Sequence, residues 1–357
     1  MGNDGLSHKI LAIILSILFI ILLYLLLWPV PIDPAQWNPP KAPNLSGVYE
    51  QNTHLALLER LSVGGFGPED IAFDEQGRVY TGLQDGRIIR LENDSPPQLF
   101  ADTGGRPLGL CFNHSGDLIV ADADRGLLSI SGNGLIRVLS TEAEGVPFRL
   151  TDAVDVAEDG TMYFSDASSK FFNQDYMYDL MENQPNGRLM AYYPGNGSTR
   201  VLLHDLHFAN GVAVSPDQSY VLVAETNRYH ILRYWLKGEK KGESDIFISN
   251  LPGFPDGVSS NGNDTFWVAL IAPRDSDLDE VMLPNPFLRK VLMRLPSQFS
   301  APKSYGFVLG LDKNGSVTHN LQDPSGAFRR ITVARENDGM LFLGSLEEEE
   351  IGRLAIG

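Results

Sequence analysis

Glu69, Asp152, Asn210 and Asp256 each stand two residues before the first apolar residue of a short alternating stretch, in "PEDIAF", "TDAVDV", "ANGVAV" and "PDGVSS". Three carboxylates and an amide brought to one place cannot all stay ionised without compensation. A hard cation supplies it. An oxygen-only donor set favours Ca²⁺ over Zn²⁺, with Mg²⁺ or Mn²⁺ also open. Such an ion polarises a carbonyl or phosphoryl oxygen and stabilises the oxyanion that follows. A carboxylate beside it, Asp256 or Asp152, takes a proton from water. Hydrolysis of a small-molecule ester or lactone fits these parts. Covalent catalysis has no comparable support. No G-x-S-x-G occurs, and the single cysteine, Cys111 in "LGLCFN", reads as a small core residue. The rival reading is that the acids cap separate strands and never meet.

What must bring them together is a repeat. "PEDIAFDEQGRVYTG", "PLGLCFNHSGDLIVA", "TDAVDVAEDGTMYFS", "ANGVAVSPDQSYVLV", "PDGVSSNGNDTFWVA" and "FRRITVARENDGMLFLG" share one form. Each is a short alternating strand, a turn rich in Asp, Asn and Gly, and a second strand of β-branched and aromatic residues, a hairpin signature. Gly77, Gly116 and Gly160 each lie eight residues after Glu69, Leu108 and Asp152. Third strands follow, among them "GRIIRL", "GRLMAYY" and "HILRYWL". Six such units predict an all-β chain, a six-bladed β-propeller, rather than a pair of β-sandwiches. "THLALLERL" is available to close the ring with the last blade. In a propeller the first strand of each blade lines the channel. Glu69, Leu108, Asp152, Asn210 and Asp256 then stand at one rim, with Arg106 and Arg149 just before two of these positions as candidates to orient an oxyanion.

Two insertions interrupt the blades. Residues 168–187 carry Phe171, Phe172, Tyr176 and Tyr178, candidates to shape a substrate pocket. Residues 273–304 contain a helical run, "PFLRKVLMRLPSQF", with apolar residues on one side and Arg289, Lys290 and Arg294 elsewhere. It reads as a helix packed on the propeller, as an apolar lid, or as a basic amphipathic surface resting on a membrane.

The amino-terminal region is of a different kind. Residues 1–9 form a short tail, and Ile10 to Trp28 carry no charge. At about 1.5 Å per residue that run spans a bilayer core of roughly 30 Å. A cleaved signal peptide has a shorter apolar region and a small-x-small site, which "LLLWPVPIDP" lacks. The chain thus reads as a single-pass protein in contact with membrane lipid. Lys9 before the span orients the amino terminus to the cytoplasm and places the body outside it, in a lumen, periplasm or extracellular space. Residues 29–50 are proline-rich and read as a stiff tether; residues 51–357 are the propeller. The net charge of −17 argues against nucleic acid, which needs a basic footprint. One cysteine excludes an internal disulfide. N-x-S/T sequons begin at Asn44, Asn93, Asn113, Asn196, Asn263 and Asn314.

The same stretches carry a resemblance. "GPEDIAF", "GRPLGL", "YFSDASSKF", "NGVAVSP", "VLVAETNRYHILRYWLKG", "LPGFPDGV" and "DGMLFLGS" resemble the strictosidine synthase-like and adipocyte plasma membrane-associated protein family. That family sits within the calcium-dependent six-bladed propellers that include senescence marker protein/gluconolactonase and paraoxonase. The resemblance covers nearly the whole chain. It implies a calcium site on Glu69, Asn210 and Asp256, with Asp152 as the fourth pocket position where the family usually has Asn. It also implies that Asp256 both ligates the ion and serves as general base. Paraoxonases use a further histidine near the second blade, and here Leu108 stands at that rim. Strictosidine synthases use a glutamate early in the last blade, and here Thr332 stands there. Ester or lactone hydrolysis, of arylesterase or lactonase type, is therefore the leading expectation. A strictosidine synthase-like condensing enzyme and a non-catalytic binding propeller with structural calcium are the alternatives.

Overall fold

Turn chemistry sets the blades. In the computed structural model, which describes residues 4–92, 95–295 and 303–356, the hairpins turn on side-chain caps. Asp74 Oδ1 accepts from the Gln76 and Arg78 amides, and Asn113 Oδ1 and Asp312 Oδ1 do the same in their own turns. Such Asx turns leave one position that requires positive φ. Gly77, Gly116, Gly160 and Gly315 fill it, with φ of 74°, 81°, 82° and 82°.

Six four-stranded antiparallel sheets follow. Their innermost strands are Ile71–Phe73, Pro107–Phe112, Thr151–Val156, Ala209–Val214, Gly253–Ser260 and Ile331–Asn337. The last blade holds three carboxyl-terminal strands and one amino-terminal strand. Glu59–Ser62 pairs with Glu350–Ala355, from Glu59↔Arg353 to Ser62↔Glu350. The "THLALLERL" stretch does close the ring, and Arg353 fastens it through Glu59 at 2.7 Å. Apolar faces of neighbouring blades fill the space between them. Tyr220, Leu222, Phe266 and Phe307 join blades four and five, and Ile119, Phe164 and Met190 join two and three. The 168–187 insertion folds into a short helix, α1 (Tyr176–Glu182), whose Tyr176 and Leu180 rest on Leu108, Leu150, Ala167 and Phe208.

This propeller unit comprises residues 40–274 and 303–357; residues 1–39 and 275–302 form a second compact unit. The second unit holds one helix, Ser7–Leu27, long and apolar enough to cross a membrane, with a mean hydropathy of 3.3. The helical run of the second insertion is shorter than its sequence suggests. Helix α2 covers Pro286–Leu292 and is preceded by a π-helical turn, Leu278–Met282. Residues 293–295 leave the helix in a turn, and residues 296–299 of the run, like the sequon at Asn93, lie outside the described residues.

Candidate functional site

Five of the six innermost strands break register as they begin; the blade-one strand, Ile71–Phe73, pairs without a shift. Shifts fall between Pro107 and Gly109, Thr151 and Val154, Ala209 and Val212, Pro255 and Val258, and Ile331 and Val333. A bulge of this kind bends the strand and re-aims the side chain beside it. Here the re-aimed residues are Leu108, Asp152, Asn210, Asp256 and Thr332. Adjacent inner strands also pass very close. A Cβ at Gly211 would lie 2.2 Å from the Val258 amide nitrogen, and one at Gly257 would lie 2.4 Å from the Thr332 carbonyl. That explains why glycine follows Asn210 and Asp256: any side chain there would push the rim apart.

Glu69, Leu108, Asp152, Asn210, Asp256 and Thr332 line one cavity of about 20 Å³ together with Asp70, Val333 and Arg335. That is room for roughly one water-sized occupant. Separation in sequence is thus resolved into proximity, as the repeat requires.

The charges in this cavity do not cancel. Asp70 is fully engaged. It accepts from Arg335 Nε and Nη2 at 2.8 Å each, and from the Ile71 and Leu110 amides. Glu69 Oε2 accepts from Arg106, which also donates to the Gly67 carbonyl at 2.9 Å. Asp152 and Asp256 are buried, and neither forms a salt bridge among the described residues. Asn210 lines the same cavity as Asp256 and favours its charged form. Burial holds the Asp152 carboxyl well above the usual carboxylate range, and the nearby charges of Asp256 and Glu69 push it the same way. Burial does the same to Asp256, followed by Glu69, while Asn210 and Arg330 oppose it. Glu69 is raised by burial, against the pull of Arg106.

These residues suit a small hard cation. The donors are oxygen only, two carboxylates lack a cationic partner, and the cavity is the size of one ion. Among the described residues, no three His, Cys, Asp or Glu side chains already stand in metal-holding geometry. Arg106 engages Glu69, and one of the donors is an amide.

Three of the pocket candidates stand outside this cavity. Arg149 does not line the cavity; its guanidinium stacks over Phe172, 4.6 Å from the ring centre. Phe171 is buried in the insertion against Tyr178, under the Lys170 ammonium, and does not line it either. Arg106 is close by but is spent on Glu69 rather than free for an oxyanion. Thr332 lines the cavity, yet its hydroxyl donates to the Glu69 carbonyl at 2.6 Å. Sequence reasoning missed Asp70 and Arg335. Strand alternation was the available signal, because Val333 and Arg335 are two apart and share a face.

The first insertion holds a second buried acid. Asp179 Oδ2 accepts from the Ser168 hydroxyl at 2.5 Å and from the Asn186 amide at 2.9 Å. Burial outweighs those bonds and pushes its carboxyl up to about 6. Because the folded value exceeds the unfolded one, its contribution to stability is full below about pH 4 and is lost as pH rises through about 6. Asp179→Asn is expected to flatten this fall and to raise the unfolding temperature at pH 8. Thermal melts of both proteins between pH 4 and 8 check it, and parallel curves would count against this assignment.

Comparison with known proteins adds family to geometry. The strictosidine synthase family model matches residues 152–239, and the strictosidine synthase-like amino-terminal model matches residues 47–91. Strictosidine synthase-like 6 of Arabidopsis thaliana is 39% identical over 296 residues, covering 80% of this chain and 78% of its own. The adipocyte plasma membrane-associated protein of Rattus norvegicus is 34% identical over 351 residues, covering 91% and 93%. Among solved structures, a gluconolactonase from Xanthomonas campestris superposes with a TM-score of 0.62 at 16% identity, over 93% of this chain and 99% of its own. A calcium-binding regucalcin from Agrobacterium tumefaciens gives 0.59 at 13%, over 83% and 93%. At these identities the structural matches speak to fold alone.

Proposed function

Because this chain belongs to the strictosidine synthase-like family, we propose that it is a membrane-anchored, divalent-cation-dependent hydrolase of small esters or lactones, with its site at the channel mouth. The observation that carries this reading is the pair Asp152 and Asp256, buried without a cationic partner in an oxygen-lined cavity the size of one ion. Kinship in fold to a gluconolactonase and a calcium-binding regucalcin supports it.

Glu69, Asp152, Asn210 and Asp256 would hold the ion, with Ca²⁺ the best fit and Mg²⁺ or Mn²⁺ alternatives. When bound, it supplies Lewis-acid polarisation of the substrate carbonyl and charge stabilisation of the developing oxyanion. The protein does the rest. Asn210 fixes the orientation of the Asp256 carboxylate and favours its charged form. Asp256 takes the proton from a water molecule as that water adds to the carbonyl carbon. The carbon–oxygen bond to the leaving group then breaks, and the proton passes to the departing alkoxide. A lactone opens to a hydroxy acid and an ester yields acid and alcohol. Arg106 holds Glu69 in place, and Leu108 with the α1 insertion supplies an apolar wall. The condensing alternative is weakened because Thr332 commits its hydroxyl to a backbone carbonyl.

The apolar helix fits a single-pass anchor, and we read the propeller as extracytoplasmic. The test is hydrolysis of phenyl acetate and a panel of lactones by the full chain in detergent, with and without chelator. Asp256→Ala is expected to lower turnover by about 10²-fold or more. Full activity in that variant would overturn the mechanism. No turnover of any ester, with Ca²⁺ still stabilising the fold, would leave a binding propeller.

A further inference from the structure

The 275–295 segment buries two of its charges and exposes several of its large apolar residues. Its charged Arg289 and Asp279 are buried, at 0% and 6% exposure, while Val281 and Phe287 stand out at 42% and 54%. In water this arrangement has its polarity reversed, because arginine is almost never fully buried and a large aromatic rarely left out. Arg289 is held inward by backbone carbonyls, donating to Ala35 and Leu283.

The same segment is fastened to the end of the apolar helix. Arg294 Nε donates to the Trp28 carbonyl at 2.6 Å and its Nη1 to the Leu25 carbonyl at 2.9 Å. Those carbonyls lie at the carboxyl end of the helix, where no intrahelical N–H is left to donate to them. Tyr24 returns a hydroxyl bond to the Arg294 carbonyl at 3.3 Å, and Lys290 pairs with Asp33 at 3.0 Å. Tyr24 and Trp28 pack at 5.8 Å, the aromatic pair expected where a span leaves the bilayer.

We propose that residues 278–295 form a membrane-seated collar around the exit of the anchor, with Phe287, Leu288 and Val281 dipping into the boundary between lipid headgroups and acyl chains. These exposed residues stand on the segment that Arg294 fastens to the end of the apolar span, so their occupant is the bilayer itself. Buried Arg289 and half-buried Arg294 act as clamps, joining collar, tether and helix end into one body. The span would then be held at a fixed depth rather than trailing on a free leash, and the tether would leave the membrane at a set point. This rests on the anchor reading above.

The test separates the two. In full chain carrying Cys111→Ser, single cysteines replace Phe287, Ile17 in the span, or exposed Leu135 on blade two. Each is labelled with an environment-sensitive fluorophore and reconstituted into phosphatidylcholine vesicles with brominated acyl chains. The label at 287 is expected to quench about twofold more than that at 135, approaching the label at 17. Quenching at 17 with none at 287 overturns the collar and leaves the anchor standing. Absence of quenching at 17 as well overturns both. Leu288→Cys provides a second position if Phe287→Cys does not fold.

Discussion

Ca²⁺ added to metal-free protein is expected to raise its unfolding temperature by roughly 5–10 °C. An ion that binds only the folded state at about 100 times its dissociation constant contributes about 2.7 kcal/mol. For a propeller of this size each kcal/mol shifts the midpoint by about 2–4 °C. The source of the effect is the uncompensated pair Asp152 and Asp256, which the fold buries beside each other and beside Glu69. Without a cation their mutual repulsion and lost hydration oppose folding; with one, its attraction for both carboxylates offsets those costs. Two variants sharpen the result. Asp152→Asn is expected to make the metal-free protein more stable and the Ca²⁺-dependent gain smaller, because it removes one of the two charges while preserving shape. Asp256→Asn is expected to behave likewise. Differential scanning calorimetry with chelator, Ca²⁺ and Mg²⁺ in turn checks all three proteins. Identical melting of the natural protein in chelator and in excess Ca²⁺ would remove the cation site from this cavity.

The legible part of this site was the part that repeats. Turn glycines at Gly77, Gly116 and Gly160 mark where each hairpin reverses, and counting back from them finds the rim at Glu69, Leu108 and Asp152. Ring closure brings these positions to one cavity without further information, so Asn210 and Asp256 follow from register alone. The helix of the amino-terminal unit was equally plain, since only length and apolarity decide it. What escaped was whatever depends on side-chain reach across blades. Arg149 precedes a rim residue just as Arg106 does, yet one stacks on Phe172 and the other pairs with Glu69. Nothing in their spacing separates those outcomes. In the 168–187 insertion Tyr176 and Leu180, not Phe171, make the approach to Leu108. The second insertion escaped for the opposite reason. An amphipathic reading assigns apolar residues inward, and this segment buries its arginine instead.

Asp70→Ala is expected to cost about 3–5 kcal/mol, the usual loss when one partner of a buried pair is removed. Asp70 sits under the acid rim and serves three clients at once. It receives the bidentate Arg335 guanidinium, the Ile71 amide of its own blade and the Leu110 amide of the next. Arg335 comes from the last blade and also donates to the Leu110 carbonyl at 3.2 Å. This one pair therefore ties blades one, two and six around the channel. Its loss leaves an arginine charge buried with its principal partner gone, beside two amides that have lost an acceptor. Arg335→Met alone should destabilise by a similar amount, since Asp70 then becomes another unpaired acid under Asp152. The double variant Asp70→Leu, Arg335→Met is expected to recover part of the loss, because an apolar pair carries no desolvation cost, though the Ile71 and Leu110 amides stay unpaired. A double-mutant cycle read by urea unfolding in chelator isolates the pair from the cation. Additive losses, with no recovery in the double variant, would show that Asp70 and Arg335 act separately, and that this pair does not tie the blades.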